Sequence, residues 1–119
     1  ISGGLKDAET VRRVFDYTGC DAVMLARGIM GNPWLFSEVL GTLDEQPTDR
    51  EIVDELLWCM DRAVEHFGYE RAGRYMRKYY PWYVEKLDAG HAMQDAMQRA
   101  ADLDEARGKI TSWLTAAVA

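Results

Sequence analysis

Two groups of residues in this chain of 119 carry chemistry by their types and spacing. The first is Arg27-Gly28, with a second glycine at Gly31, at the end of the apolar run Ala22-Val23-Met24-Leu25. Ser2-Gly3-Gly4 looks like the glycine turn of an earlier strand. Side by side at the C-terminal ends of two strands, such turns let backbone N–H groups approach an anion, and an arginine adds a fixed charge with two parallel donors. Phosphate is the ligand class this suits, and Arg27 is the best single candidate for touching it. Gly-Gly turns and strand-terminal arginines are also common where nothing binds. The second group is Arg71, Arg74, Arg77 and Lys78, interleaved with Tyr75 and Trp82. At about 100° per residue, Arg71, Arg74, Tyr75, Lys78 and Trp82 share one side of a helix, while Ala72, Met76, Tyr80, Tyr83 and Leu87 form an apolar opposite side. Cations mixed with rings suit phosphate contacts and base stacking on folded RNA. The plainer reading is a solvated basic face with Trp82 buried against a neighbouring helix.

Other chemistries have thin support. Cys20 and Cys59 are too few and too far apart for a metal cluster or a disulfide framework, and neither has a histidine or acid spaced to activate it. His66 and His91 are isolated, and His66 falls near a helix C-terminus, where the dipole favours a proton. Asp49, Glu51, Asp54 and Glu55 suit a helix N-terminus better than a metal site, since no facing histidine or second acidic helix accompanies them. The net charge of −6 is unevenly spread: residues 37–69 hold nine acids against two bases, and residues 70–86 hold five bases against two acids. A basic patch of this kind can meet a polyanion even on an acidic protein, because charges beyond about 8 Å are largely screened. No apolar run reaches the length of a membrane span and no basic-then-apolar leader opens the sequence, so a cytoplasmic setting is the default.

The elements that position these residues can be read from local signals. Asp7 caps a helix from Ala8 to about Tyr17, which buries Val11, Val14 and Phe15, leaves Lys6, Glu9, Arg12, Arg13 and Asp16 to solvent, and closes at Gly19. Ala22 to Leu25, apolar at every position, reads as a parallel strand buried on both faces, and strand, helix, strand, helix implies a right-handed crossover. After Gly41 the architecture changes. Thr48 and Glu51 form a capping box for a helix to about His66, Gly68 ends it, and helices at 70–87 and 89–101 follow. Pro81 strips Arg77's carbonyl of its helical donor and should kink the first of these. Asp102 and Glu105 make a second capping box for a last helix. The fold class is therefore mixed and mostly helical, two β/α units followed by an all-α antiparallel bundle with short connections.

Together these residues resemble a known family. Ser-Gly-Gly, Tyr17-Thr18-Gly19-Cys20-Asp21-Ala22-Val23-Met24-Leu25, Ala26-Arg27-Gly28 and Gly31-Asn32-Pro33-Trp34-Leu35-Phe36 are similar to the end of the flavin-binding TIM (β/α)8 barrel of tRNA-dihydrouridine synthases. Met76-Arg77-Lys78-Tyr79-Tyr80-Pro81-Trp82-Tyr83 resembles the Arg-Lys-His-x-x-Trp-Tyr signature of that family's C-terminal helical domain. Departures from the pattern are Ser2 for Asn, Gly4 for Asp, Ala26 for Gly and Tyr79 for His; the first three leave backbone donors in place, and the last removes an imidazole.

The resemblance implies that residues 1–43 are the C-terminal part of an FMN-binding barrel, with Ser2, Gly3, Gly4, Ala26, Arg27 and Gly28 at the flavin phosphate. Residues 44–119 would be a helical tRNA-binding domain that uses Arg71, Arg74, Arg77, Lys78 and Trp82. It further implies reduction of a tRNA uridine to 5,6-dihydrouridine, with NADPH reducing the FMN, no metal, and a catalytic cysteine in a preceding part of the barrel that this chain does not contain. The chain alone is then not expected to catalyse. Alternatives are another FMN barrel oxidoreductase acting on a small molecule, or a non-catalytic helical module that binds RNA or protein. An upstream Asn-x-Gly-Cys-Pro run would favour the synthase.

Overall fold

Local capping chemistry sets most of the element boundaries in residues 3–118, the part of the chain that the structure, a computed structural model, describes. Helix α1 (Ala8–Thr18) starts where Asp7 accepts the Thr10 N–H at 2.7 Å, a bond that also holds the Asp7 carboxyl below its ordinary value. It ends where Gly19, at φ 64°, turns left-handed and returns its N–H to Phe15 O. Helix α2 (Leu35–Val39) is short. Helix α3 (Asp49–Phe67) is capped by Thr48, which accepts the Glu51 N–H at 3.2 Å, and stops at Gly68. Then come α4 (Tyr69–Met76), α5 (Tyr80–Leu87), α6 (His91–Gln98) and α7 (Leu103–Ala117). Asp102 caps α7 by accepting the Glu105 N–H at 2.8 Å. The expected capping box takes a variant form there, since the Glu105 carboxylate accepts the N–H of Ala101.

The chain falls into two compact units, residues 1–46 and 47–119. In the first, α1 packs on α2 and buries Leu5, Ala8, Val11 and Leu35. Arg12 is exposed, as expected, and in addition donates Nη2 to the carbonyls of Glu38 at 2.8 Å and Val39 at 3.4 Å, and so caps the C-terminal end of α2.

The buried strand expected at Ala22–Leu25 is not formed, and no strand occurs among the described residues. Val23 and Leu25 are half-buried while Met24 is 67% exposed, so exposure alternates where uniform burial was anticipated. A strand is a paired structure, and an extended segment without a ladder partner leaves its N–H and C=O groups to solvent. Of the two β/α units expected at residues 1–43, the described residues show the helices without the strands. Ile1 and Ser2, assigned to the first strand and its turn, lie outside the described residues.

In the second unit α3 packs against α4, α5 and α7, with α6 against α5 and α7. Ile52, Leu56 and Met60 of α3 meet a core that includes Met76, Tyr80, Met97, Leu103 and Ile110. Desolvation drives this burial, at roughly 25 cal/mol for each Å² of apolar surface removed from water. Tyr80 is so deeply enclosed that burial pushes its hydroxyl up to about 12. The single helix expected over 70–87 is two helices, and the break falls at Arg77–Tyr79, one turn before Pro81. The reason is steric. Proline fits the first turn of a helix, where an N–H would lack a partner anyway, so the chain starts α5 just ahead of Pro81 and tightens the preceding turn. The helix expected over 89–101 is likewise shorter, entered through Asp88 at φ 53° and Gly90 at φ 89°. No helix among the described residues is long and apolar enough to cross a membrane.

Candidate functional site

Two cations, Arg71 of α4 and Lys78 of the turn after it, are seated on a row of rings. Phe67, Tyr75 and Tyr79 follow one another, with centroids 4.5 Å and 5.2 Å apart, and the Tyr75 and Tyr79 hydroxyls share a hydrogen bond of 2.8 Å. That bond is the main reason the Tyr75 hydroxyl is raised above its ordinary value. The Arg71 guanidinium lies 5.6 Å from the Phe67 ring centre, and Lys78 Nζ lies 4.2 Å from Tyr75 and 5.2 Å from Tyr79. A cation over a ring face is attracted by the ring quadrupole, which holds a flexible side chain without neutralising it. Arg71, Arg74 and Lys78 are exposed and form no ion pair among the described residues.

Two expected members stand apart from this row. Arg77 is exposed but sends Nη2 to the carbonyl of Ala100 at 3.3 Å, so its guanidinium already serves the fold. Trp82 is half-buried in α5 and makes none of the ring contacts in this row among the described residues. Phe67 and Tyr79 were missing from the sequence-derived set. Phe67 reads as part of the apolar face of α3, and Tyr79 as a replaced imidazole, so neither announces itself as a cation seat.

In the first unit the two glycine segments meet. Gly28 packs so closely on the chain just after Gly3-Gly4 that a Cβ built there would fall 1.7 Å from Leu5 O. Gly3 and Gly4 have φ of 99° and 66°, conformations open to glycine at little cost, with free space where a side chain would stand. Arg27–Ile29 forms a 3₁₀ turn whose own bonds begin at the Ile29 N–H, so the N–H groups of Arg27 and Gly28 stay outside it. Arg27 and Ala26 are exposed. N–H groups outside the turn's own bonds, glycines and one exposed guanidinium, all among the described residues, are the kind of donor set that a phosphate requires.

A family model described as Dihydrouridine synthase (Dus) matches residues 1–118. The chain belongs to the dihydrouridine synthase family. It is 31% identical over 109 residues to a probable tRNA-dihydrouridine synthase of Mycobacterium leprae, covering 87% of this chain and 28% of that protein. It is 34% identical over 103 residues to tRNA-dihydrouridine synthase B of Escherichia coli K12 (82% and 31%), and 28% identical over 109 residues to that of Pasteurella multocida (87% and 33%). The chain thus spans about a third or less of the length of these relatives, between 28% and 33%.

Elsewhere in the chain, Cys59 is held rather than activated. Its Sγ lies 3.3 Å from Glu55 Oε1, to which it donates, and 3.3 Å from the Tyr83 hydroxyl. Burial pushes the thiol up, and the Tyr83 hydroxyl is raised for the same reason. Alkylation of Cys59 by iodoacetamide is therefore expected to be slow near neutrality and still climbing as the pH passes 9.0. A rate that levels off near neutrality would reveal an activated thiolate. No group of three or more His, Cys, Asp or Glu side chains able to hold a metal occurs among the described residues.

Proposed function

We propose that this chain is the C-terminal part of a tRNA-dihydrouridine synthase, in which residues 47–119 hold tRNA and residues 1–46 contribute to the binding of FMN. The observation that carries the reading is Arg71 and Lys78 held over Phe67, Tyr75 and Tyr79, with Arg74 exposed on the same helix as Arg71, in a family whose relatives are named for tRNA. Phosphates would meet the three cations, and the seat on the rings lowers the entropy lost when Arg71 and Lys78 engage them.

The first unit fits the phosphate of FMN by its donor set: Gly3 and Gly4 leave open space beside the backbone, the N–H groups of Arg27 and Gly28 lie outside the 3₁₀ bonding, and Arg27 supplies the charge. Ser2 and Ala26 stand in the same segments, each in place of another residue of the family's pattern, and would contribute backbone donors rather than side chains. When bound, FMN reduced by NADPH would supply the hydride that converts a uridine C5–C6 double bond to the 5,6-dihydro form. The chain's own residues hold the cofactor and the RNA, and neither cysteine is assigned to proton transfer.

In the complete protein, Arg27→Ala should remove a charge-assisted contact of about 1.5 to 3 kcal/mol, which is roughly a 10- to 150-fold loss of FMN affinity. Flavin fluorescence on dilution measures it, and unchanged retention would dismiss the site. The activity itself is tested by incubating the complete protein with unmodified tRNA and NADPH, then looking by mass spectrometry for nucleosides that have gained one hydrogen pair. Absence of such a product with flavin bound and reducible would refute the assignment.

A further inference from the structure

Pro81 leaves a gap in the backbone bonding that a side chain from another helix fills. Having no N–H, proline cannot donate to the carbonyl four residues earlier, that of Arg77. Arg77 and Tyr79 keep helical dihedrals, φ −56° with ψ −35° and φ −96° with ψ −24°. The bonds tighten all the same to i→i+3, with the Tyr79 N–H on Met76 O at 2.9 Å and the Trp82 N–H on Tyr79 O at 3.1 Å. Gln98, in the last turn of α6, donates Nε2 to Arg77 O at 2.8 Å. The Arg77 guanidinium in turn reaches Ala100 O at 3.3 Å. One residue is thus held at its carbonyl and at its side chain by a three-residue stretch of chain, 98–100. Lys78 is the next residue along, with its ammonium over Tyr75 and Tyr79.

We infer that Gln98 is a positioning residue for RNA binding. Its amide replaces the N–H that Pro81 lacks, fixes the Arg77–Tyr79 turn, and so sets where Lys78 presents its charge. The inference rests on the tRNA reading of that face. Gln98 need not touch RNA. The bond it makes is exposed to solvent, so water can take over the Arg77 carbonyl when the amide is removed. What water does not restore is the direction of the turn.

The test is tRNA binding by the complete protein, measured against salt. Gln98→Ala, or the closer isostere Gln98→Met, should weaken binding about 3- to 10-fold, the range that one net hydrogen bond supports. The salt slope should stay near wild type, because the number of cations is unchanged. Two further variants separate positioning from general destabilisation. In a Lys78→Ala background Gln98→Ala should cost nothing more, since its effect runs through Lys78. In a Pro81→Ala background, where residue 81 regains an N–H for Arg77 O, Gln98→Ala should again be silent. Additive losses with Lys78→Ala, or no rescue by Pro81→Ala, would overturn the positioning role. Wild-type affinity in Gln98→Ala beside a weakened Arg71/Arg74/Lys78 triple variant would overturn it while leaving the tRNA reading intact. A triple variant that binds like wild type would overturn both.

Discussion

Replacing Gly28 by alanine is expected to open the unit formed by residues 1–46. The new Cβ would stand 1.7 Å from Leu5 O, 2.8 Å from Leu5 C and 3.2 Å from Lys6 Cα, all of them backbone atoms. A side chain could rotate out of the way, but these atoms cannot. The Leu5 side chain is buried with Ala8, Val11 and Leu35, so relief must come from pulling Leu5 out of that small core or from moving the Arg27–Ile29 turn off it. Overpacking costs typically about 1 to 3 kcal/mol, and a clash between two backbones belongs at the upper end, which is roughly 100-fold in a local opening equilibrium. Amide hydrogen exchange along α1 reads this directly, and α1 protection equal to wild type would contradict it. Gly108→Ala serves as the control with the opposite sign. Gly108 lies inside α7 with nothing within 4 Å of where an added methyl group would stand, so alanine there should stabilise the helix by about 0.5 to 1 kcal/mol. A bound phosphate would give Gly28 a ligand-side reason to resist replacement, since a side chain would hold the anion off its donors. The contact with Leu5 supplies a reason that needs no ligand.

What could be read from the chain without coordinates was chemistry confined to a few neighbouring residues. Asp7, Gly19, Thr48, Gly68 and Asp102 stop or start helices through bonds within a turn of themselves, and each stands at the expected boundary. The strand at Ala22–Leu25 was read from the same kind of local pattern, but a strand is completed by a partner that the pattern does not contain. Arg12 is exposed as its helical position implies, but nothing within its own helix says that its guanidinium meets an α2 carbonyl 26 positions away. Pro81 shows both sides of the limit. The sequence states that the Arg77 carbonyl loses its donor, which is a fact about four adjacent residues. It does not state that Gln98, 21 positions on, supplies another. The candidate RNA face divides in the same way: helical spacing gathers Arg71, Arg74 and Tyr75, whereas Phe67 joins the row across the Gly68 break and Tyr79 through a turn that spacing alone runs straight through.

The largest functional loss is expected from replacing Arg71, Arg74 and Lys78 together by alanine in the complete protein. All three are exposed and unpaired among the described residues, so the folded unit should survive their removal, and its circular dichroism should be unchanged. If each neutralises one phosphate on a single-stranded or irregular stretch of tRNA, the plot of log affinity against log salt should flatten by about 2. At moderate salt three lost contacts of about 1 to 1.5 kcal/mol each correspond to an affinity drop on the order of 100- to 1000-fold. Arg71 and Lys78 contribute more than a point charge on a free tether would, because Phe67, Tyr75 and Tyr79 already hold their head groups and little side-chain freedom remains to be lost on binding. On the proposed function, the reduction of bound FMN by NADPH should keep its wild-type rate, since that half-reaction would need no RNA. Slope and flavin rate together separate a damaged RNA face from a damaged enzyme. A triple variant with wild-type tRNA affinity and slope would return these residues to the role of a solvated basic face.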